Sequence, residues 1–176
     1  DDISSFYETV RRKAVDKAKL WMERSALLGA SVGVQHPTTN RCPAAEEGLD
    51  LYMDKLTRSL DELLPHAEEL DYVIALENLP PGDLGGRFSS RPEHFERFAQ
   101  DYDHPNLGFI IDTGHALISS GEDADDFHEI MAPKMVAYHL ADNAGDRDSH
   151  LAPGHGNVDW NTVFRRASEI GYSGCM

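Results

Sequence analysis

Leu107-Gly108-Phe109-Ile110-Ile111-Asp112-Thr113-Gly114-His115-Ala116 is an apolar run suited to a buried strand, and it ends abruptly in a carboxylate and an imidazole. An ionised Asp at the mouth of such a strand costs several kcal/mol unless it is paired or bound to a cation, so its position calls for a chemical reason. The same pattern recurs on either side. Ser31-Val32-Gly33-Val34-Gln35 runs into His36, Tyr72-Val73-Ile74-Ala75-Leu76 into Glu77-Asn78, and Met135-Val136-Ala137-Tyr138 into His139-Leu140-Ala141-Asp142. Four strands each deliver a metal-competent side chain at the carboxyl end.

Helical patterns separate these strands. Residues 5–28 open on Ser5-Phe6-Tyr7-Glu8, a capping-box pattern, and carry Val10, Ala14, Ala18, Trp21 and Leu28 at helical spacing before Gly29. A polar loop through Pro37, Pro43 and Gly48 leads to a helix over 45–69, with Leu49, Met53, Leu56, Leu60, Leu63 and Leu64 on one face. Pro80-Pro81-Gly82-Asp83-Leu84-Gly85-Gly86-Arg87 reads as a mobile loop beyond Glu77. Ser90-Arg91-Pro92-Glu93 opens a short helix with Phe95, Phe98 and Tyr102 on its inner face. Helices are also predicted over 124–132 and from about 159 to 170, the last with Trp160 and Phe164 as core contacts, after a polar loop over 141–157.

Unbroken alternation of strand and helix makes a parallel sheet, because each helical crossover returns the chain to start the next strand in the same direction. An open doubly wound sheet and a closed barrel both satisfy that. Four consecutive polar strand tips favour the barrel, which points all its carboxyl ends at one axis. A (β/α)8 TIM barrel typically takes about 250 residues, so the 176 residues here are expected to be roughly its C-terminal half, one partial domain incomplete at both ends. The chain has no initiator Met, opens inside a helical pattern and closes on Gly171-Tyr172-Ser173-Gly174-Cys175-Met176, where a new strand is expected to begin. A half-barrel exposes unpaired strand edges, so a homo-oligomer is expected of it alone.

An apolar content of 40% with 27% charged residues reads as globular. Basic residues are scattered, and the net charge of −15 argues against a nucleic-acid partner. Five Lys against thirty-one acidic residues fits an acidic cytoplasmic protein better than a salt-adapted one. Cys42 and Cys175 form no CxxC pair, and no apolar run approaches the ~18 residues of a membrane span.

Glu77, Asp112 and His139 are predicted at equivalent positions on successive strands. Two hard oxygens and one imidazole suit Mn, Mg, Zn or Co, with positions left open for substrate. The bland alternative for each is a helix cap or a loop hydrogen bond. It accounts for one such residue more readily than for three in register. A second group joins His115 to Asp148 and His150, either as a further metal site or as a grip on substrate hydroxyls and phosphate. His115 lies three residues beyond Asp112 and so must use the turn to aim at a neighbouring subsite. Arg87 reads as a lone candidate anion clamp, and His66, His94, His104 and His128 as surface or capping residues.

Ala75-Leu76-Glu77-Asn78, Ile111-Asp112-Thr113-Gly114-His115-Ala116, His139-Leu140-Ala141-Asp142-Asn143, and Arg147-Asp148-Ser149-His150-Leu151 with Pro153-Gly154-His155-Gly156-Asn157-Val158-Asp159-Trp160 together resemble the xylose-isomerase-like TIM-barrel superfamily. That group spans sugar and sugar-phosphate isomerases and epimerases, hydroxypyruvate isomerase, inosose dehydratase and endonuclease IV. The resemblance covers residues 31–176. It implies that Glu77, Asp112 and His139 hold the shared divalent ion, with a fourth ligand, a Glu of the last strand, expected beyond Met176. It also implies Glu77 as a catalytic acid/base. In endonuclease IV the positions of His115, Asp148 and His150 hold an extra zinc, and that of His36 helps hold another.

The function implied is a metal-dependent isomerase or epimerase of a small sugar or hydroxy-keto acid, working through an enediolate, with His115, Arg147, Asp148 and His150 gripping the far end of the substrate. A dehydratase of inosose or dehydroshikimate needs the same enolate. An endonuclease IV-like zinc phosphodiesterase acting on abasic DNA is the rival chemistry, and a barrel that has lost catalysis is the third reading.

Overall fold

Four strands, β1 (Val32–Gln35), β2 (Val73–Glu77), β3 (Leu107–Asp112) and β4 (Met135–His139), pair side by side in sequence order, every pair parallel. The computed structural model describes residues 2–100, 102–120, 125–174 and 176, with the backbone alone of Glu46 and Glu47. Helix α1 (Glu8–Leu27) precedes β1; α2 (Ala44–Glu47) and α3 (Leu49–Glu69) cross from β1 to β2, α4 (Glu93–Gln100) from β2 to β3, and α5 (Thr113–Ser120) and α6 (Asp125–Met131) from β3 to β4, while α7 (Trp160–Glu169) follows β4. All six residues of β3 are buried, as expected for a parallel strand covered on both faces, whereas β1 is half exposed along its length. The outer core joins Leu56, Leu60, Leu63 and Leu64 of α3 to Phe95 and Phe98 of α4, Phe109 and Ile111 of β3, and Phe127 and Met131 of α6. Phe95 packs edge-on against both Phe109 and Phe127.

Several sequence expectations shift. Ser5-Phe6-Tyr7-Glu8 forms no capping box, because α1 starts at Glu8 with Tyr7 as a cap that makes no side-chain bond. The buried face of α1 is also rotated: Val10, Trp21 and Leu28 are exposed, while Arg11, Ala14, Val15 and Met22 face inward. Arg11 tolerates burial because its guanidinium donates to Ser59 Oγ at 2.9 Å and to carboxylate oxygens of Glu8 and Glu62 at 2.8 Å each, which ties α1 to α3. The helix expected over 45–69 is two helices, broken where Gly48 takes a φ of 91° that other residues avoid. The helix expected over 124–132 is α6 followed by a 3-10 turn over Ala132–Lys134, its first position lying outside the described residues. Helix α5 has no counterpart in the sequence reading, since Thr113-Gly114-His115 looks like a turn. Phe164 is exposed, so it is not a core contact.

Candidate metal centre and substrate subsite

Register decides what gathers at the carboxyl ends. Glu77 pairs with Ile110, while Asp112 pairs with His139. The three are therefore not level, as the sequence suggested: β3 overhangs β2 by two residues. A two-residue step preserves the face, so the side chains of Glu77 and Asp112 still point the same way. Donor atoms of Glu77, Asp112 and His139 all lie within 4.8 Å of one another. His139 Nδ1 is 2.8 Å from Glu77 Oε1 and 3.9 Å from Asp112 Oδ2, and His36 Nε2 lies 3.0 Å from Glu77 Oε2.

The two carboxylates are 2% exposed each, whereas His139 and His36 are open to solvent. Burial pushes the Glu77 carboxyl up, but the hydrogen bonds from His139 and His36 outweigh it and hold the pKa at about 2. Burial also pushes Asp112 up, and there it prevails over the opposing pull of the neighbouring His115, leaving the carboxyl above its usual range. His139 is raised by its bond to Glu77. Two buried carboxylates facing one imidazole are the donor set that a divalent ion satisfies, so the residues fit the ion implied by the sequence.

Asp112 does two jobs. Its Oδ1 accepts the backbone N–H of His115 at 2.9 Å, capping the first turn of α5, while Oδ2 faces His139. The bland and the chemical readings of this carboxylate are both satisfied, one at each oxygen. The cap also aims His115: its Nδ1 is 2.8 Å from the carbonyl of Asn78, which can only accept, so Nδ1 carries the proton. Nε2 then faces Asp148 Oδ2 at 3.2 Å, and Asp148 Oδ1 meets His150 Nε2 at 2.9 Å. His115, Asp148 and His150 thus form a second cluster, buried at His115 and exposed at the other two. Arg147 is exposed on the same loop.

That loop hangs on Asp142. Its fully buried carboxylate accepts four bonds: from Asn143 N at 2.9 Å and Val158 N at 3.1 Å on Oδ1, and from Gly154 N at 2.9 Å and Trp160 Nε1 at 3.0 Å on Oδ2. Burial pushes its pKa up, but the donors prevail and lower it. The indole of Trp160 serves this bond. Side chains also stitch the strand ends together. Thr113 Oγ1 donates to Ala141 O at 2.7 Å, and Asn143 Nδ2 to Gly114 O at 2.9 Å. Gly114 is required there, since a Cβ would sit 2.8 Å from that amide nitrogen. Sequence reasoning passed over Asn78, Thr113, Asp142 and Asn143 as functional residues; the signal was a small polar residue within a few positions of each ligand.

Other candidates fall outside. Arg87 is buried between loops, with Nη2 donating to Thr38 O at 3.3 Å, its Nε unpartnered among the described residues, and its pKa lowered by burial. His94 and His128 are buried, contrary to the surface reading. His94 Nδ1 accepts from Ser89 N at 3.0 Å and His128 Nε2 meets Tyr138 Oη at 3.0 Å, so each is a satisfied core histidine. His104, half-buried in the loop before β3, caps no helix and accepts from Asn106 N at 3.2 Å.

Residues 2–176 match the xylose isomerase-like TIM barrel family. The uncharacterized protein MJ1311 of Methanocaldococcus jannaschii is 30% identical over 176 residues, a match covering 98% of this chain and 58% of that protein. A probable endonuclease 4 of Shouchella clausii is 28% identical over 163 residues, covering 84% of this chain and 52% of the relative. Among solved structures, a D-tagatose 3-epimerase-like protein superposes with a TM-score of 0.86 at 29% identity, over 99% of this chain and 64% of the other. The chain therefore spans between 52% and 64% of the length of these three relatives. On fold, strand register and family match together, it belongs to the xylose isomerase-like TIM barrel family.

Proposed function

We propose that this chain supplies the metal-holding and proton-moving half of a divalent-metal-dependent isomerase or epimerase acting on a small sugar or hydroxy-keto acid. The observation that carries the reading is the convergence of Glu77, Asp112 and His139 on one point, two of them as buried carboxylates. A protein whose name is D-tagatose 3-epimerase-like is the structural relative that supports the substrate class. Glu77, Asp112 and His139 would hold Mn, Mg, Zn or Co. When bound, the ion offsets the negative charge that builds on neighbouring substrate oxygens as a proton leaves carbon.

Glu77 is ionised across the neutral range, so it enters the reaction as a proton acceptor. His139 and His36 orient its two oxygens from either side. His115 presents Nε2 beside Asp148, with His150 and Arg147 on the rim, a polar set suited to the hydroxyls at the far end of a sugar. Among the described residues no helix is long and apolar enough to cross a membrane, and a cytoplasmic setting belongs to the same reading. The test is solvent deuterium exchange into a panel of ketoses and keto acids by the Mn-loaded protein. Exchange at the carbon beside the carbonyl is expected, and its absence across the panel overturns the proposal.

One observation favours a second reading. His36 touches Glu77, and His115, Asp148 and His150 gather as a separate cluster, which are the positions of extra zinc in endonuclease IV, and a probable endonuclease 4 is among the relatives. Against it stands a net charge of −15, which repels a phosphate backbone. Counting zinc in the purified protein separates the two: one ion per chain supports the isomerase, three the nuclease.

A further inference from the structure

The geometry points to Asn78 as a positioning residue that holds Asp112 and His115 in place, an inference that rests on the metal-dependent function proposed above. Because Glu77 pairs with Ile110, β2 ends two residues short of Asp112, and the backbone N–H and C=O of Asp112 face a place where the ladder has run out. Buried backbone groups without partners are costly, so something must take the place of the missing strand. The side-chain amide of Asn78 does so. Its Oδ1 accepts from Asp112 N at 2.7 Å and its Nδ2 donates to Asp112 O at 3.0 Å, so one planar amide supplies both halves of a ladder rung. Asn78 is fully buried, and its own carbonyl takes the Nδ1 proton of His115 at 2.8 Å. The side chain of the residue next to Glu77 thereby fixes the height of Asp112, whose Oδ1 caps His115, while that residue's own carbonyl gives His115 Nδ1 an acceptor and so links the two clusters.

The same strand pair carries an internal control. At the opposite, amino-terminal end, buried Asn106 donates through Nδ2 to Tyr72 O at 2.9 Å, another amide bridging the β2 and β3 segments but remote from the ligands. A merely structural role makes the two asparagines equivalent; a positioning role does not. The experiment is titration of the metal-free protein and its variants with Mn2+, read by electron paramagnetic resonance, together with thermal melts. Asn78→Ala is expected to weaken Mn2+ binding by about 10–100-fold, the range for losing a residue that orients metal ligands. Asn106→Ala is expected to lower the melting temperature while leaving Mn2+ affinity unchanged. If Asn78→Ala fails to fold, Asn78→Ser takes its place, since a hydroxyl there cannot bridge both groups of Asp112, and the same weakening is expected. Variants at 78 that bind Mn2+ as the wild type does, or an Asn106→Ala that weakens it equally, overturn the inference and leave the proposed function standing. A wild-type protein that takes up no divalent ion overturns that function, and this inference with it.

Discussion

The two histidine–carboxylate clusters differ in what holds them. Glu77, Asp112 and His139 sit on strand ends whose heights are set by sheet register, and the amide of Asn78 and the hydroxyl of Thr113 continue the ladder past the last strand residues. Asp148 and His150 ride on a loop, both exposed, with His150 at a φ of 48°, in the left-handed region that costs a non-glycine residue energy. Their loop is held by the backbone bridge between Asp142 and Leu151 and by the bonds that the Asp142 carboxylate accepts from Gly154, Val158 and Trp160. Groups that must meet within tenths of an ångström are built on the sheet. Under the proposed function, the groups that would read a substrate are built on a loop, which can change without disturbing the barrel.

That contrast is most sharply tested by comparing one residue from each cluster. Glu77→Gln keeps the shape but removes the charge and the proton acceptor, and is expected to lower the exchange rate by about 10²–10⁴-fold. His150→Ala is expected to raise KM with kcat little changed, because His150 meets Asp148 on the rim and the edge of the His115 ring, and none of the three strand ligands. Steady-state kinetics on both variants decides the matter: equal losses of kcat would make the loop cluster part of the chemistry. Removal of metal with a chelator is expected to lower exchange at least as far as Glu77→Gln does, with recovery on adding Mn2+ or Co2+. A chelated protein that keeps its activity would break the assignment of the strand cluster.

A weaker effect is expected at the anchor of the loop. Asp142→Asn puts an amide donor where the carboxylate faces four N–H groups, so one buried donor pair is left opposed, at about 1–3 kcal/mol. The loop should loosen over His115 while the strand cluster stays intact. Loss of kcat/KM up to ~10²-fold, carried by KM, is expected, with unchanged Mn2+ affinity. A shift in Trp160 fluorescence should report the same loosening, since the indole loses its carboxylate partner. Weakened Mn2+ binding in this variant would mean that the two clusters are not held independently.

What the sequence made legible follows from the range of each interaction. The parallel alternation, the strand tips and the grouping of Glu77 with Asp112 and His139 were readable because period-two strands and their polar ends are local patterns. The stagger of Glu77 against Asp112 was not, since register is settled between segments thirty or more residues apart. Arg11 defeated the reading of the α1 face for a related reason: its partners Ser59 and Glu62 lie on another helix, and without them a buried arginine is not expected. Helix α5 was hidden by Gly114, which reads as a turn former but is there to let the Asn143 amide approach. His94 and His128 looked like surface residues because single histidines carry no periodicity, and only the fold supplies Ser89 N and Tyr138 Oη.

His94 gives the smallest expected effect on activity and a separate one on stability, which makes it the contrast to both clusters. It is buried against Phe88, and burial lowers its pKa from 6.5 to about 4. The folded protein therefore keeps the ring neutral while the unfolded chain takes up a proton as pH falls through 6.5. Stability from this group is complete above 6.5 and declines between 6.5 and about 4, where the folded state begins to bind the proton as well. A shift of that size corresponds to roughly 3 kcal/mol lost across the window. Urea denaturation at pH 7 and pH 4 should show that loss in the wild type and less of it in His94→Gln, which can still accept from Ser89 N but does not titrate. Activity at pH 7 should be the same in both, because His94 touches neither cluster. Identical pH dependence in the two proteins would show that the acid sensitivity arises elsewhere, the histidines around Glu77 being the next to examine.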